Sequence, residues 1–244
     1  MSVFELVADS YESHRKPRVQ IIDHITNYIS KSALGDARIL DLGCGTGGYA
    51  SKLGEIFDTI IYGVDSSDAM LKKANKKKHV QTIKCDCNES IVIPKDHFDG
   101  AYCINFIHYI RNLDNFLSSI FRSLRKKGVI YIATHTESDI RQQSLGRYFP
   151  STIPIELSMI HSIKSVTSSL SNNGFSRVRV ESVNIRQPLD EEFLNACKTK
   201  SYNCLHSIDG DSFAEGIERI EKDINNLSGE GCFPYTVITG VKHD

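Results

Sequence analysis

The sequence predicts an α/β fold built on a doubly wound, mainly parallel sheet. Three observations carry that expectation. Short apolar runs such as 39–42, 59–64 and 129–133 alternate with segments whose apolar residues recur every three or four positions, as strands alternating with amphipathic helices do. The first run leads into Gly43, Gly45, Gly47 and Gly48, a strand-to-helix turn in which glycine accepts positive φ and lets a ligand approach the backbone. The second run ends in Asp65, 22 positions after Gly43, where a carboxylate at a strand's carboxyl end accepts the hydroxyls of a ribose.

Bulk properties narrow the function classes. The chain has 244 residues with 40% hydrophobic and 24% charged content, enough to bury a substantial core in one α/β domain spanning 1–244. A net charge of −1 gives no electrostatic reason to expect nucleic acid or an acidic membrane as partner. No apolar run approaches membrane-spanning length, and the opening MSVFELVADS lacks the basic start and apolar segment of a secretory leader. The seven cysteines include no C-x-x-C pair. They read as buried free thiols rather than a zinc site or disulfides, a usage that suits the cytoplasm, and no metal is expected.

Taken in order, residues 2–14 and 16–31 read as two helices, the second with Val19, Ile22, Ile25 and Ile29 on one stripe. After the Gly-rich turn come a short helix to Gly54, strand two at 59–64 and a further helix. That helix closes on Lys72, Lys73, Lys76, Lys77 and Lys78, a solvated face complementing the helix dipole rather than a nucleic-acid patch. Strand three, 80–84, ends in Cys85-Asp86-Cys87, and strand four covers 98–105. An amphipathic helix over 114–127 precedes strand five at 129–133. Residues 135–160 read as irregular and too long for a simple connection. A helix at 162–173 stops at Gly174, as a C-terminal glycine cap does. Strand six follows at 177–184 and a last strand at 235–241, with helical patterns at 190–206 and 211–227 between them.

The literal G-x-G-x-x-G at Gly43, Gly45 and Gly48 raises a dinucleotide site, but Asp41 at the mouth of the strand would repel a pyrophosphate and attract a cation. Ile39-Leu40-Asp41-Leu42-Gly43-Cys44-Gly45-Thr46-Gly47 matches the first motif of the class I S-adenosylmethionine-dependent methyltransferases throughout. Gly63-Val64-Asp65-Ser66-Ser67-Asp68-Ala69-Met70-Leu71 resembles the second signature of that family, and Asp86 after strand three resembles its adenine contact. The resemblance implies a Rossmann-like, doubly wound seven-stranded sheet with the last strand antiparallel. It also implies N-terminal helices, and here a helical insertion at 186–233 separates strands six and seven, to wall the substrate pocket or to mediate a homodimer. It implies S-adenosyl-L-methionine as cofactor, a core at 35–135, and a substrate lid at 136–160.

Residue by residue, the resemblance puts Asp41, Gly43, Gly45, Asp65, Ser66, Met70, Asp86, Cys87 and Asn105 at the cofactor, with Tyr11 and Arg15 at its methionine carboxylate. The absence of Asn/Asp-Pro-Pro-Tyr and of a Pro-Cys pair argues against nucleobase acceptors, leaving a small molecule with an O or N nucleophile. Tyr109, His135, Arg147 and Tyr148 are expected at that acceptor. His108 is the candidate base, since histidine is poised to take a proton near neutral pH; its alternative is a turn histidine bonded to backbone. His135 is the reserve base. Two other readings remain open: a non-catalytic methyltransferase-like scaffold, and a nicotinamide-dependent oxidoreductase, against which stand Asp41 and the lack of Tyr-x-x-x-Lys.

Overall fold

β1 (Ile39–Leu42) is buried along its whole length, so its side chains divide between two cores. Leu40 and Leu42 join Ala101, Cys103, Ile130 and Ile132 on one face. Ile39 joins Ile61, Tyr102, Val129 and Tyr131 on the other. This alternation is the period of two that pleated backbone imposes, and strands buried on both faces are what helices on both sides of a parallel sheet require.

The computed structural model describes residues 8, 11–13, 16–29, 37–89, 93–226 and 229–243. In chain order the elements are α1 (Val19–Ile29), β1, α2 (Gly48–Phe57), β2 (Ile61–Asp65), α3 (Asp68–Ala74), β3 (Val80–Lys84), β4 (Phe98–Ile104), α4 (Leu113–Ser123) and β5 (Leu124–Thr134). They continue with α5 (Glu137–Gln142), α6 (Ser144–Tyr148), α7 (Ile153–Met159), α8 (Ile163–Asn172), β6 (Phe175–Pro188), α9 (Glu191–Lys198), α10 (Gly210–Asn225) and β7 (Glu230–Lys242). Helices α4 and α8 pack on the first face and α1 and α2 on the second. The seven strands lie in the order β3-β2-β1-β4-β5-β7-β6. β1 to β5 pair in parallel, and β7 runs antiparallel to both neighbours. The order reverses between β1 and β4, and a doubly wound sheet opens its ligand crevice at the carboxyl ends on either side of such a reversal.

Several boundaries differ from the sequence reading. The helix expected over 2–14 lies largely outside the described residues, although 8 and 11–13 are helical. α4 stops at Ser123 rather than at 127 because Leu124 pairs with Phe98, and the chain then turns through Lys127 at φ 65 before Gly100 meets Val129. β6 and β7 extend well past 177–184 and 235–241, their register running from Phe175↔Lys242 to Pro188↔Glu230. The extension follows from Ile185 and Phe233, which keep facing the core that Val237 and Tyr235 face.

The largest difference is at 135–160, which is helical rather than irregular. Thr136 caps α5 by accepting from the Asp139 N–H at 3.1 Å, and the Asp139 carboxylate accepts from the Thr136 N–H at 2.8 Å, a reciprocal capping box. The Asp139 carboxylate also accepts from the Thr236 hydroxyl at 2.6 Å, fixing α5 to β7. The helices are short, and Pro150 and Pro154 each open a new helical turn, so no periodicity spans them. Their apolar residues meet those of the insertion: Leu145, Tyr148 and Phe149 pack with Phe193, Leu194 and Ile220 in a third core. Segments 136–160 and 186–233, expected as separate lid and wall, thus share one hydrophobic interior.

A candidate active site at the carboxyl ends of the strands

The Gly-rich turn hangs on the end of β2. The N–H groups of Gly43 and Cys44 both donate to the Val64 carbonyl, at 2.8 and 2.9 Å. Asp65 carries this further: one carboxylate oxygen accepts from the Gly45 N–H at 2.9 Å and the other from the Ser67 N–H at 2.9 Å. A carboxylate offers about four lone-pair directions, so these anchors are compatible with acceptance from ribose hydroxyls as well. Ser67 then caps α3, its hydroxyl accepting from the Met70 N–H at 3.2 Å. One residue at the strand end therefore ties together the turn, the strand and the following helix.

Gly45 has φ 53, and the position a Cβ would take there stands 3.7 Å from the Tyr11 ring. At Gly43, with φ 73, a Cβ would collide with the Phe106 ring at 2.1 Å. At Gly43 both the positive φ and the ring contact demand glycine, and at Gly45 the positive φ does.

A cavity of about 500 Å³ opens from this turn under the third core. Of the predicted residues it brings together Tyr11, Asp41, Gly43, Asn105, His108, Tyr109 and His135. Gly45, Asp65, Ser66, Met70, Asp86 and Cys87 lie outside its wall. Met70 is buried against Ala8, Ala69 and Tyr11. Asp86 is exposed and accepts from the Asn88 N–H at 2.9 Å; Ser66 is also exposed, and Cys87 is buried. Arg15 falls outside the described residues. Arg147 and Tyr148 do not reach the cavity, contrary to expectation. The Tyr148 ring is in the third core with its hydroxyl donating to Asp223 at 2.6 Å, and Arg147 stands at 3.7 Å from the same carboxylate. They join α6 to α10.

Electrostatics sort the remaining groups. Asp41 is buried beside Tyr102, its partner across β4. Burial pushes its carboxyl up to about 7, the Tyr102 hydroxyl opposes this, and Asp65 adds to it. Asn105, just past β4, adopts φ 53. Its amide donates to the Tyr235 hydroxyl at 3.2 Å, and its carbonyl oxygen is buried without a partner among the described residues. His108 is held down to about 3 by burial first and then by His135 and His161, so it is neutral at ordinary pH and a weak base. This removes the basis for an acid limb near neutrality arising from His108.

His135 is oriented. Its Nδ1 lies 2.9 Å from the Pro234 carbonyl, and its ring stands 4.8 Å from that of Tyr235. A carbonyl only accepts, so Nδ1 carries the proton and the ring's lone pair is on Nε2. Residues that the sequence reading did not single out complete the wall: Gln143 donates to Glu156 at 2.9 Å, and Asn203 donates to the Tyr109 hydroxyl at 2.9 Å. Phe193, Tyr202 and Phe233 supply aromatic surface. The sequence had offered 186–233 only as a segment to wall the pocket, with none of its residues singled out.

Comparison with known proteins follows this geometry. A family model described as a methyltransferase domain matches residues 11–180. Malonyl-[acyl-carrier protein] O-methyltransferase of Bacillus cytotoxicus is 26% identical over 136 residues, covering 54% of this chain and 47% of that protein. The 18S rRNA (guanine-N(7))-methyltransferase bud23 of Schizosaccharomyces pombe is 25% identical over 126 residues, covering 46% and 47%. The chain spans about half the length of these curated relatives. Among solved structures, an Anabaena variabilis chain assigned as a methyltransferase of an antibiotic biosynthesis pathway superposes with a TM-score of 0.74 at 22% identity. The match covers 93% of this chain and 99% of that one. Haemonchus contortus phosphoethanolamine N-methyltransferase 2, solved with phosphomonomethylethanolamine and S-adenosylhomocysteine, gives 0.57 at 19% identity over 91% of this chain and 53% of that one.

Proposed function

The chain belongs to the S-adenosylmethionine-dependent methyltransferases, and from that premise we propose that it methylates a small molecule at an oxygen or nitrogen nucleophile, with His135 taking the proton. The donor set suits the cofactor: Asp65 bonds the glycine turn and Asp41 lies beside it in the cavity, which favours a cationic nucleoside without phosphate. S-adenosylmethionine, when bound, supplies an electrophilic methyl group carried on a sulfonium. Asp65 is the acceptor for its ribose, Asp41 the counter-charge within the cavity, and the Asn105 carbonyl a buried acceptor beside it.

The observation that carries the acceptor reading is the enclosure. α6 and the insertion share one hydrophobic unit over the strand ends, leaving a cavity of about 500 Å³ with His108, Tyr109, His135 and Asn203 facing it. Holding a nucleophile in such a space supplies much of a transfer's rate through orientation. His135 adds base catalysis: its Nε2 accepts the proton of an O–H or N–H, and the Pro234 carbonyl steadies the imidazolium through Nδ1–H. His108, buried and neutral, orients the acceptor by hydrogen bonding.

Tritium transfer from methyl-labelled S-adenosylmethionine tests this, offered in parallel to a small-metabolite extract and to total RNA. Label is expected in material that passes a membrane retaining macromolecules. Label confined to RNA would overturn the small-molecule reading, and one relative acts on 18S rRNA.

A further inference from the structure

Two of the five lysines in the last turn of α3 and just beyond it do not face solvent as the other three do. Lys73 and Lys77 are half-buried, whereas Lys72, Lys76 and Lys78 are exposed. Both point at one carboxylate: Lys73 Nζ lies 3.0 Å from one oxygen of Glu12 and Lys77 Nζ lies 2.9 Å from the other. The lysines hold the Glu12 carboxyl below its usual range, Lys77 foremost, although burial works against them. The side chains in this cluster are 34%, 20% and 27% exposed for Glu12, Lys73 and Lys77, against 61% and 65% for the surface pair Lys52–Glu55. That difference matters because screening by solvent and salt leaves fully exposed pairs almost without effect.

The cluster touches the Gly-rich turn from two directions. The stem of Lys77 passes 3.7 Å from the Cβ position of Gly47, and Ala74 lies 3.0 Å from it. Tyr11, next to Glu12, sets its ring 3.7 Å from the Cβ position of Gly45, lines the cavity, and packs on Met70 with Ala8. A little further along, Lys16 pairs with Glu192 of α9 at 2.7 Å, and the Arg18 guanidinium lies 3.9 Å from the centre of the Phe233 ring. The described N-terminal residues thus run from the cofactor side of the cavity to its cap. We propose that Glu12 is a positioning residue of the cofactor site: it clasps Lys73 and Lys77 and thereby holds Tyr11 over the glycine cradle. Retention of cofactor then depends on that double ion pair. The proposal rests on the cofactor assignment for its ligand arm and on the ligand-free protein alone for its exchange arm.

The test uses the whole chain in two measurements. In the ligand-free protein, amide exchange across 11–13 is expected to quicken about tenfold in Glu12→Gln, as one charge-assisted contact of this kind allows. In the wild type the same amides are expected to quicken when sodium chloride is raised. With radiolabelled S-adenosylhomocysteine as probe, dissociation is expected to speed up about five- to tenfold in Glu12→Gln and in Lys77→Met, with its salt dependence lost in the first and weakened in the second, where Lys73 still pairs with Glu12. The reversed clasp, Glu12→Lys with Lys73→Glu and Lys77→Glu, is expected to restore slow release, a rescue that a merely structural role would not produce. Unchanged exchange with an unchanged rate of release in Glu12→Gln, or release from the wild type that salt does not alter, would overturn the proposal, as would failure of the reversed clasp in a folded variant. Should the wild type not bind S-adenosylhomocysteine at all, the cofactor assignment falls, and the exchange arm still decides for or against the clasp.

Discussion

With Asp41 as the proposed counter-charge to the cofactor, binding becomes a proton-linked event. Its carboxyl is raised to about 7 in the ligand-free protein, chiefly by burial, so near neutrality it is about half protonated. A cationic ligand in the same cavity favours the carboxylate, and binding therefore expels the proton. With a site titrating near 7, affinity for S-adenosylmethionine should fall roughly a hundredfold between pH 8 and pH 5, about 2.7 kcal/mol, and level off above pH 8. Calorimetry in buffers of different ionisation enthalpy would count close to one proton released at pH 6 and almost none at pH 8. Asp41→Asn should bind weakly at every pH and release no proton. The folding linkage has the opposite sense. Because the native carboxyl is raised above its unfolded value, the native state holds the extra proton between about pH 4 and pH 7, so stability from this group declines as pH rises through that window. Asp41→Asn should thus raise the melting temperature of the ligand-free protein at pH 8 while damaging binding. Affinity that is flat from pH 5 to pH 8, or an Asp41→Asn variant that keeps the wild-type pH slope, would refute the reasoning.

Three further outcomes follow from the same geometry. Gly45→Val should abolish measurable S-adenosylhomocysteine binding, because a branched residue resists φ 53 and its side chain would enter the space beside the Tyr11 ring; calorimetric titration checks it. Asp65→Ala removes the acceptor for the Gly45 and Ser67 N–H groups as well as for ribose, so cofactor affinity should drop at least tenfold, each charge-assisted bond contributing about 1.5–3 kcal/mol. Once an acceptor is in hand, His135→Ala should lower turnover by roughly 10²–10⁴-fold with cofactor affinity kept, while normal turnover with an acceptor that must lose a proton would return His135 to a purely structural role.

The parallel strands were legible because each of the first five announces itself locally. Ile39 to Leu42, Ile61 to Asp65 and Val129 to Ala133 are short apolar runs bounded by Gly, Asp or Lys, and the Gly-rich turn marks which strand end faces the ligand. Boundaries failed where pairing rather than propensity sets them. Lys126, Lys127 and Gly128 read as a helix stop, yet the backbone from Leu124 onward is drawn into strand by Phe98. The far ends of β6 and β7 are strand because Arg186 pairs with Cys232 and Pro188 with Glu230, a match between residues more than forty positions apart. No local pattern encodes it.

The turn and strand ends proposed for the cofactor fold as local sequence suggests, for the same reason, and the wall proposed for the acceptor does not. Asp41, Gly45 and Asp65 stand within 25 residues of one another and are arranged by two strands and one turn. The acceptor wall draws on four separated stretches, in which Tyr109 meets Asn203, His135 meets the Pro234 carbonyl, and Asn105 meets Tyr235. Arg147 and Tyr148 had the right chemistry in the right segment, but a tyrosine on a five-residue helix has two ways to face, and here the apolar one wins. Turning Tyr148 toward the cavity would strip the third core of a ring packed on Phe193 and leave Asp223 without that hydroxyl. Burying an aromatic side chain of this size is worth about 1.5–3 kcal/mol, more than one exposed contact to a ligand returns. The same competition explains His108. Just after strand four it looked poised to titrate, but the packing that closes the cavity also withdraws water from it, and His135 and His161 push the same way. His135 keeps the stronger claim to the proton because the carbonyl that fixes its tautomer belongs to the cap side of β7, which no reading of strand five alone would have brought to it.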